Sequence, residues 1–331
     1  MTAPLPARSR FALPILLIAA GLAGVAGLLL GAVAYSPSAI GAALRHAGGV
    51  DATIIREMRL PRVVLAFGVG GALAVAGAAL QALLRNPLAE PWLLGLSGGA
   101  SLGAVIAIAI GLPAGLSVAA CATLGSLAAV ALVYRISSVA GRRLDPRVLL
   151  LAGVVVGAFS GAITTAILAV TDPFTFHSAT MWLFGGFGRA AWPVVGQFVL
   201  VATSPLLLLW WLSRALDRLA LGDEPAAMLG VDVEQTRRLV ILATTILTAA
   251  SVAAAGVIGF VGLVVPHSLR VIVGPLHRRL LPAVFLAGGA FTVLADAAAR
   301  TVLRPSELPV GVVTALVGVP IFAILLRRSL R

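Results

Sequence analysis

FVGLVVPHSLRVIVG, residues 260–274, is the stretch on which the fold turns. It is apolar enough to enter a bilayer, yet it is shorter than the roughly 20 residues a helix needs to cross the hydrocarbon. Pro266 and His267 also interrupt it. The solvent of the surrounding chain is plain from composition: 60% of 331 residues are hydrophobic, 11% are charged, and mean hydropathy is +1.08. Those values lie far from soluble domains. Further runs at about 12–34, 61–84, 92–111, 115–134, 148–170, 192–213, 239–258, 280–299 and 309–326 each approach spanning length. Whether 260–274 also spans decides the parity of everything after it.

Charge supplies the parity. All 24 basic residues are arginine. With ten spans and an inside N-terminus, Arg45, Arg56, Arg59, Arg62, Arg189, Arg300 and Arg304 fall outside. The rest, including Arg142, Arg143, Arg278, Arg279 and Arg331, fall inside. Short loops with that bias obey the positive-inside rule. Omitting 260–274 would put Arg278 and the C-terminal arginines outside, so the sequence predicts ten spans with both termini cytoplasmic. The net charge of +12 is then accounted for by orientation and anionic headgroups rather than nucleic acid.

Absences narrow the chemistry. Without lysine there is no GxxxxGK[ST] phosphate loop, and no HExxH or nucleophile elbow occurs. Cys121 is the single cysteine, and His46, His177, His267 and His277 share no ligand spacing, so no metal site is expected. The run from Phe11 to Ala34 is too long for the apolar core of a secretory signal and reads as a first span. Asp296 is the one acidic residue well inside a span; Arg300, four residues on, makes a same-face ion pair the expected role. Gly95, Gly99 and Gly103, and likewise Gly153, Gly157 and Gly161, form stripes for close helix packing.

One segment is unlike the rest. LGDEPAAMLGVDV, 221–233, lies between the sixth and seventh spans and holds three of only twelve acidic residues. Asp223 is placed to cap a short helix with Glu224 and Pro225 in its first turn, and Gly230 to end it in the left-handed conformation. Two turns carrying Ala226, Ala227, Met228 and Leu229 are not stable alone in water. They lean either on their own bundle or on a groove of a soluble partner, with Met228 as the adaptable contact.

EPAAMLGVDV resembles the coupling loop of the permease subunits of ABC importers for iron chelates, haem and cobalamin, the FecCD family. Other stretches resemble the same family in order: RLPRVVLAFGVGGALAVAGAALQALLRNPLAEPWLLGLSGGASLGAV at 59–105, MWLFGGFG at 181–188, GFVGLVVPHSLR at 259–270, GPLHRRLLPAVFLAGG at 274–289 and ELPVGVVTALVGVPIFAILL at 307–326. The resemblance implies an all-α polytopic protein, one transmembrane domain over 1–331, with ten helices in the type II ABC importer permease fold and a coupling loop at about 214–238. It implies a homodimer or close heterodimer in the bacterial cytoplasmic membrane, the homodimer being favoured, two cytoplasmic ABC ATPase subunits carrying ATP and Mg, and a substrate-binding protein outside. The chain itself would hold no cofactor and catalyse nothing.

The same resemblance assigns residues. ATPase coupling falls to Asp223, Glu224, Pro225, Ala226, Ala227, Met228, Leu229 and Gly230; binding-protein docking to Arg56, Arg59 and Arg300, with Arg62 and Arg304 as neighbours. Cytoplasmic gates fall to Asn86 and Leu88, and to Asp145 and Pro146 where family members carry small hydroxyl residues. Ferric siderophore, haem and cobalamin all remain as cargo; GGFG at 185–188 is reminiscent of cobalamin permeases, and His177 is read as incidental to haem. The alternative is a gradient-driven secondary transporter, which needs intramembrane carboxylates or ion sites at broken helices. Asp296 alone supports that.

Overall fold

In the computed structural model, residues 8–31, 33–45, 48–113, 115–139 and 145–329 are described; His46, Arg142, Arg143 and Arg331 lie outside them. All regular structure among the described residues is helical. Among the described residues the apolar helices are α1 (Arg8–Leu29), α2 (Leu60–Leu83), α3 (Leu96–Ala109), α4 (Leu116–Val139), α5 (Pro146–Val170), α6 (Trp192–Trp211), α7 (Val233–Ala255), α8 (Val261–Val273), α9 (His277–Ala299) and α10 (Val310–Ser329). Seven of them, α1, α2, α4, α5, α6, α7 and α9, are long and apolar enough to cross a membrane. The apolar parts of α3, α8 and α10 are shorter. The 260–274 stretch is thus a helix, but its 13 residues reach only about 20 Å at 1.5 Å per residue.

Local chemistry sets the starts. Pro61, Pro146 and Pro193 sit in first turns, where proline's missing N–H costs nothing. Asp145 accepts from the Arg147 amide at 2.8 Å, and Asp232 from the Gln235 amide at 2.9 Å. Asp172 accepts from the Phe174 and Thr175 amides at the head of a short helix, Pro173–Leu183; those bonds hold its carboxyl below the usual range. Each satisfies orphan amides of a helix start.

Packing is centred on α2. In the continuous helical segment that ends with it, 83% of the apolar window is buried inside the chain, against 22% for α1, so α2 is the hub and α1 a peripheral strut. It packs on α9, α7, α8 and α6, while α3 sits between α4 and α5. Glycine makes the closest crossings possible: a Cβ on Gly77 would land on the Gly262 carbonyl of α8, and one on Gly99 on the Gly125 carbonyl of α4.

The expected glycine stripes need correction. Gly95 is not on the α3 face; it precedes the helix with φ 73°, ending a 3-10 turn, Pro91–Leu94. Gly161 meets nothing within 4 Å. Gly99, Gly103 and Gly153 do lie against neighbouring backbone.

Candidate functional site

The segment after α6 turns twice. A helix at Ser213–Leu219 is followed by one at Asp223–Met228. Gly222, φ 124°, holds the cap position of the second, and no side chain caps it. The expected capping by Asp223 is therefore corrected: this residue is inside the first turn, and its carboxylate accepts from Arg237 Nη2 of α7 at 2.6 Å, with Arg85 Nη2 3.9 Å away. The helix amides do not need it because Gly222 opens the turn and its carbonyl takes the Ala226 amide. Gly230 closes the unit with φ 80°, as its type requires.

Three ties make this knuckle part of the bundle. Ala226 is fully buried, Arg218 donates to the Leu229 carbonyl at 3.1 Å, and Asp223 fastens the start of α7. Asp217 in the preceding helix accepts from both the amide and Nδ1 of His277, at 2.8 and 2.7 Å, at the head of α9. The tip is left bare: Met228 is 87% exposed, Leu229 and Leu221 more than half. Glu224, Pro225, Ala227 and Gly230 are exposed beside it. The result is an apolar tip on a braced stalk, exposed on the described chain.

The second group surrounds the link between α2 and α3. Arg85 adopts φ 49°, Asn86 Oδ1 accepts from the Leu88 amide at 2.9 Å, and Leu88 is 37% exposed. Glu90 takes the Phe260 amide at 2.7 Å, fixing the left-handed residue that starts α8. Gln81 donates toward the Ala89, Gly262 and Leu263 carbonyls and accepts from Arg270 at 2.6 Å. Asn86 and Leu88 are thus brought to one loop braced on α2 and α8; Asp145 and Pro146 open α5 elsewhere, Asp145 as a helix cap. Sequence reasoning missed Gln81, Glu90 and Arg270. For Gln81 and Arg270 the signal was a polar group within an apolar run, which rarely survives without a partner; Glu90, in the link 85–91, carried none.

Beyond this link lies an apolar cavity of about 520 Å³ walled by Trp92, Phe184, Phe260, Leu316 and Pro320 among others. At its rim packing requires the first glycine of GGFG: Gly185 (φ 69°) abuts the Val257 carbonyl, while the Gly186 amide donates to Ala255 at 2.7 Å and Val310 donates to Gly185 at 3.1 Å. His177 is exposed on the Pro173–Leu183 helix.

At the other end of α2 the arginines are not where docking requires them. Arg59 and Arg300 are 7% and 4% exposed. Arg59 donates to the Leu28, Leu29 and Val33 carbonyls and lies over the Tyr35 ring; Arg300 donates to Gly27 and Leu30 and pairs with Asp296 at 3.0 Å. Both satisfy the open carbonyls at the end of α1, so the expectation that they face a partner protein is corrected for this conformation. Arg62 bridges Asp296 at 2.9 Å and Glu307 at 2.8 Å. Arg56 is half-buried, donating to Ala43 at 2.8 Å, and Arg304 is exposed. Asp296, held by two arginines, forms with Arg300 the pair expected from sequence.

Residues 16–328 match the FecCD transport family. The chain belongs to that family. This FecCD protein is 40% identical over 282 residues to an ABC transporter permease protein, YvrB, of Bacillus subtilis, covering 84% of this chain and 80% of that one. It is 44% identical over 276 residues to the cobalamin import permease BtuC of Halobacterium salinarum, covering 83% and 73%. With the vitamin B12 import permease BtuC of Vibrio vulnificus it shares 42% over 310 residues, covering 91% and 89%. A solved structure described as a metal-chelate type ABC transporter in an inward-facing conformation superposes with TM-score 0.86 at 30% identity, over 96% and 98% of the two chains. PsaBC of Streptococcus pneumoniae, at 15% identity and TM-score 0.56, shares the fold. The FecCD chain is therefore a multi-pass, all-α ABC transporter permease of the type II importer fold.

Proposed function

We propose that this permease is one half of a homodimer in the bacterial cytoplasmic membrane that imports a bulky chelate, a ferric siderophore, haem or cobalamin, driven by two separate ATPase subunits. The observation that carries the reading is the knuckle: a two-turn helix tied by Asp223 to α7 and by Arg218 to the α6 side, with Met228 bare. ATP-driven closure of the ATPases would push Glu224 to Gly230 as one body and tilt α6 and α7, switching the open face. The Asn86–Leu88 link and the Asp145–Pro146 start of α5 act as cytoplasmic gates. On the outer face, Arg56 and the exposed Arg304 steer a binding protein, since rim charges chiefly set encounter rate and register, while Arg59 and Arg300 brace the helices beneath. The cobalamin relatives favour a corrinoid or similarly large chelate.

Met228→Glu tests the reading. It places a charge in the apolar contact and touches nothing in the bundle, so the ATPase should dissociate roughly tenfold more readily, a cost of about 1.4 kcal/mol, and vesicle uptake should fall with it. Unchanged monodispersity and melting would show the bundle intact. Full uptake by this variant, or uptake by the chain with no ATPase present, would overturn the proposal.

A further inference from the structure

A second cavity, about 350 Å³, opens between α4, α6 and α7, and shares no lining residue with the Phe260 cavity. Its wall is almost wholly apolar, with Leu116 and Leu127 from α4, Val194 and Val201 from α6, and Ile246 and Ala254 from α7. Along α4 the lining runs from Leu116 to Leu127, roughly 16 Å at 1.5 Å per residue. That matches one leaflet of a hydrocarbon core about 30 Å thick. The surface around it is equally oily: Leu124, Leu200 and Leu207 are 65%, 79% and 60% exposed. Whatever fills the groove comes from an apolar phase.

The groove carries one cation, and its position is informative. Arg189 lies in the turn just before α6, at the end where α4 and α6 begin and α7 finishes. The arginine bias puts that end outside. Arg189 is exposed and, among the described residues, its guanidinium has no hydrogen-bond or ion-pair partner, leaving it accessible to a ligand from outside the chain; nearby apolar atoms push its pKa below the ordinary arginine value. The other polar groups in the lining are Gln197, Thr123 and the indole N–H of Trp182, and the Thr123 hydroxyl is spent on the Ala119 carbonyl at 2.9 Å. An unpaired guanidinium at headgroup depth above a leaflet-long apolar groove matches one kind of molecule in both charge and length.

We infer that the α4–α6–α7 groove is a specific site for an outer-leaflet glycerophospholipid, its acyl chain lying along Leu116 to Leu127 and its phosphodiester held by Arg189. The planar guanidinium donates two parallel hydrogen bonds to phosphate oxygens. The lipid then wedges α4 against α7, the helix that leaves the knuckle.

Native mass spectrometry of the delipidated full chain in detergent tests this, titrated with dioleoylphosphatidylglycerol and, separately, with dioleoylglycerol, which has the same chains and no phosphate. Wild type should retain the phospholipid about fivefold more strongly, the factor expected of one arginine beside an anionic group. Arg189→Gln should bring phospholipid retention down to that of the diacylglycerol. Ala250→Phe, which fills the groove from α7, should weaken both, and Ala120→Phe repeats the test from α4 should the first variant fail to fold. Undiminished phospholipid binding by Arg189→Gln, or by a folded groove-filling variant, would overturn the assignment. So would loss of dimer with lipid retention unchanged, because a second copy of the chain would then be the occupant.

Discussion

Asp296 meets two guanidiniums, from Arg62 on α2 and Arg300 after its own helix, and is itself 1% exposed. Removing one member of such a buried group strands the others, at a cost of about 3–5 kcal/mol. Asp296→Asn should therefore lower the melting point strongly in detergent, read by tryptophan fluorescence, without introducing or removing any dependence of uptake on a proton gradient. A variant that melts as wild type but loses gradient-driven uptake would revive the secondary-transporter reading. The sequence shows the Arg300 partner because four residues put both on one helix face. Arg62 is 234 residues away, and no local rule finds it. The same limit explains Arg59: its register beside Arg56 looks like a surface pair, but a π-helical turn at Ile54–Arg59 rotates it inward onto α1.

Helix identity was legible because each apolar run is long and the proline and aspartate starts are local. Helix crossings were not, since they depend on which glycines meet. Gly77 lies in a run of small residues with nothing to single it out, yet its partner is the Gly262 carbonyl on α8. Gly161 looked like a seam and faces open space. The two give opposite expectations for the same substitution. Gly77→Ala must push backbone from backbone and should cost about 1–3 kcal/mol, seen as lower melting and yield. Gly161→Ala adds a methyl without a clash and, by helix propensity, should be neutral or stabilising by up to about 1 kcal/mol. Equal behaviour of the two variants would contradict the packing described for α2 and α8. The knuckle was legible at this scale as well, because its acidic residues and paired glycines stand out against an oily chain; its bracing by Arg237 and Arg218 was not, being a matter of where α7 and the preceding helix come to rest.

At the scale of the molecule, the topology still turns on α8. It is about 20 Å long by its rise, too short to cross unaided, and it begins at Phe260, whose amide is held by Glu90 from the link that precedes α3. The link leading into α3 and the head of α8 are therefore tied by one part-buried hydrogen bond, and each of these short helices starts against protein rather than lipid. Irregular backbone at depth is tolerated only under such cover. Between Met228 and Arg304 lie α7, α8 and α9, so the two residues face opposite sides of the membrane if α8 completes a crossing and the same side if it folds back. In a Cys121→Ser background, a membrane-impermeant maleimide should label Arg304→Cys in right-side-out vesicles and Met228→Cys only after inversion. Labelling of both from one side would mean that α8 is re-entrant. The arginines at 278 and 279 would then sit outside, and the charge bias that orients the whole chain would have to be abandoned.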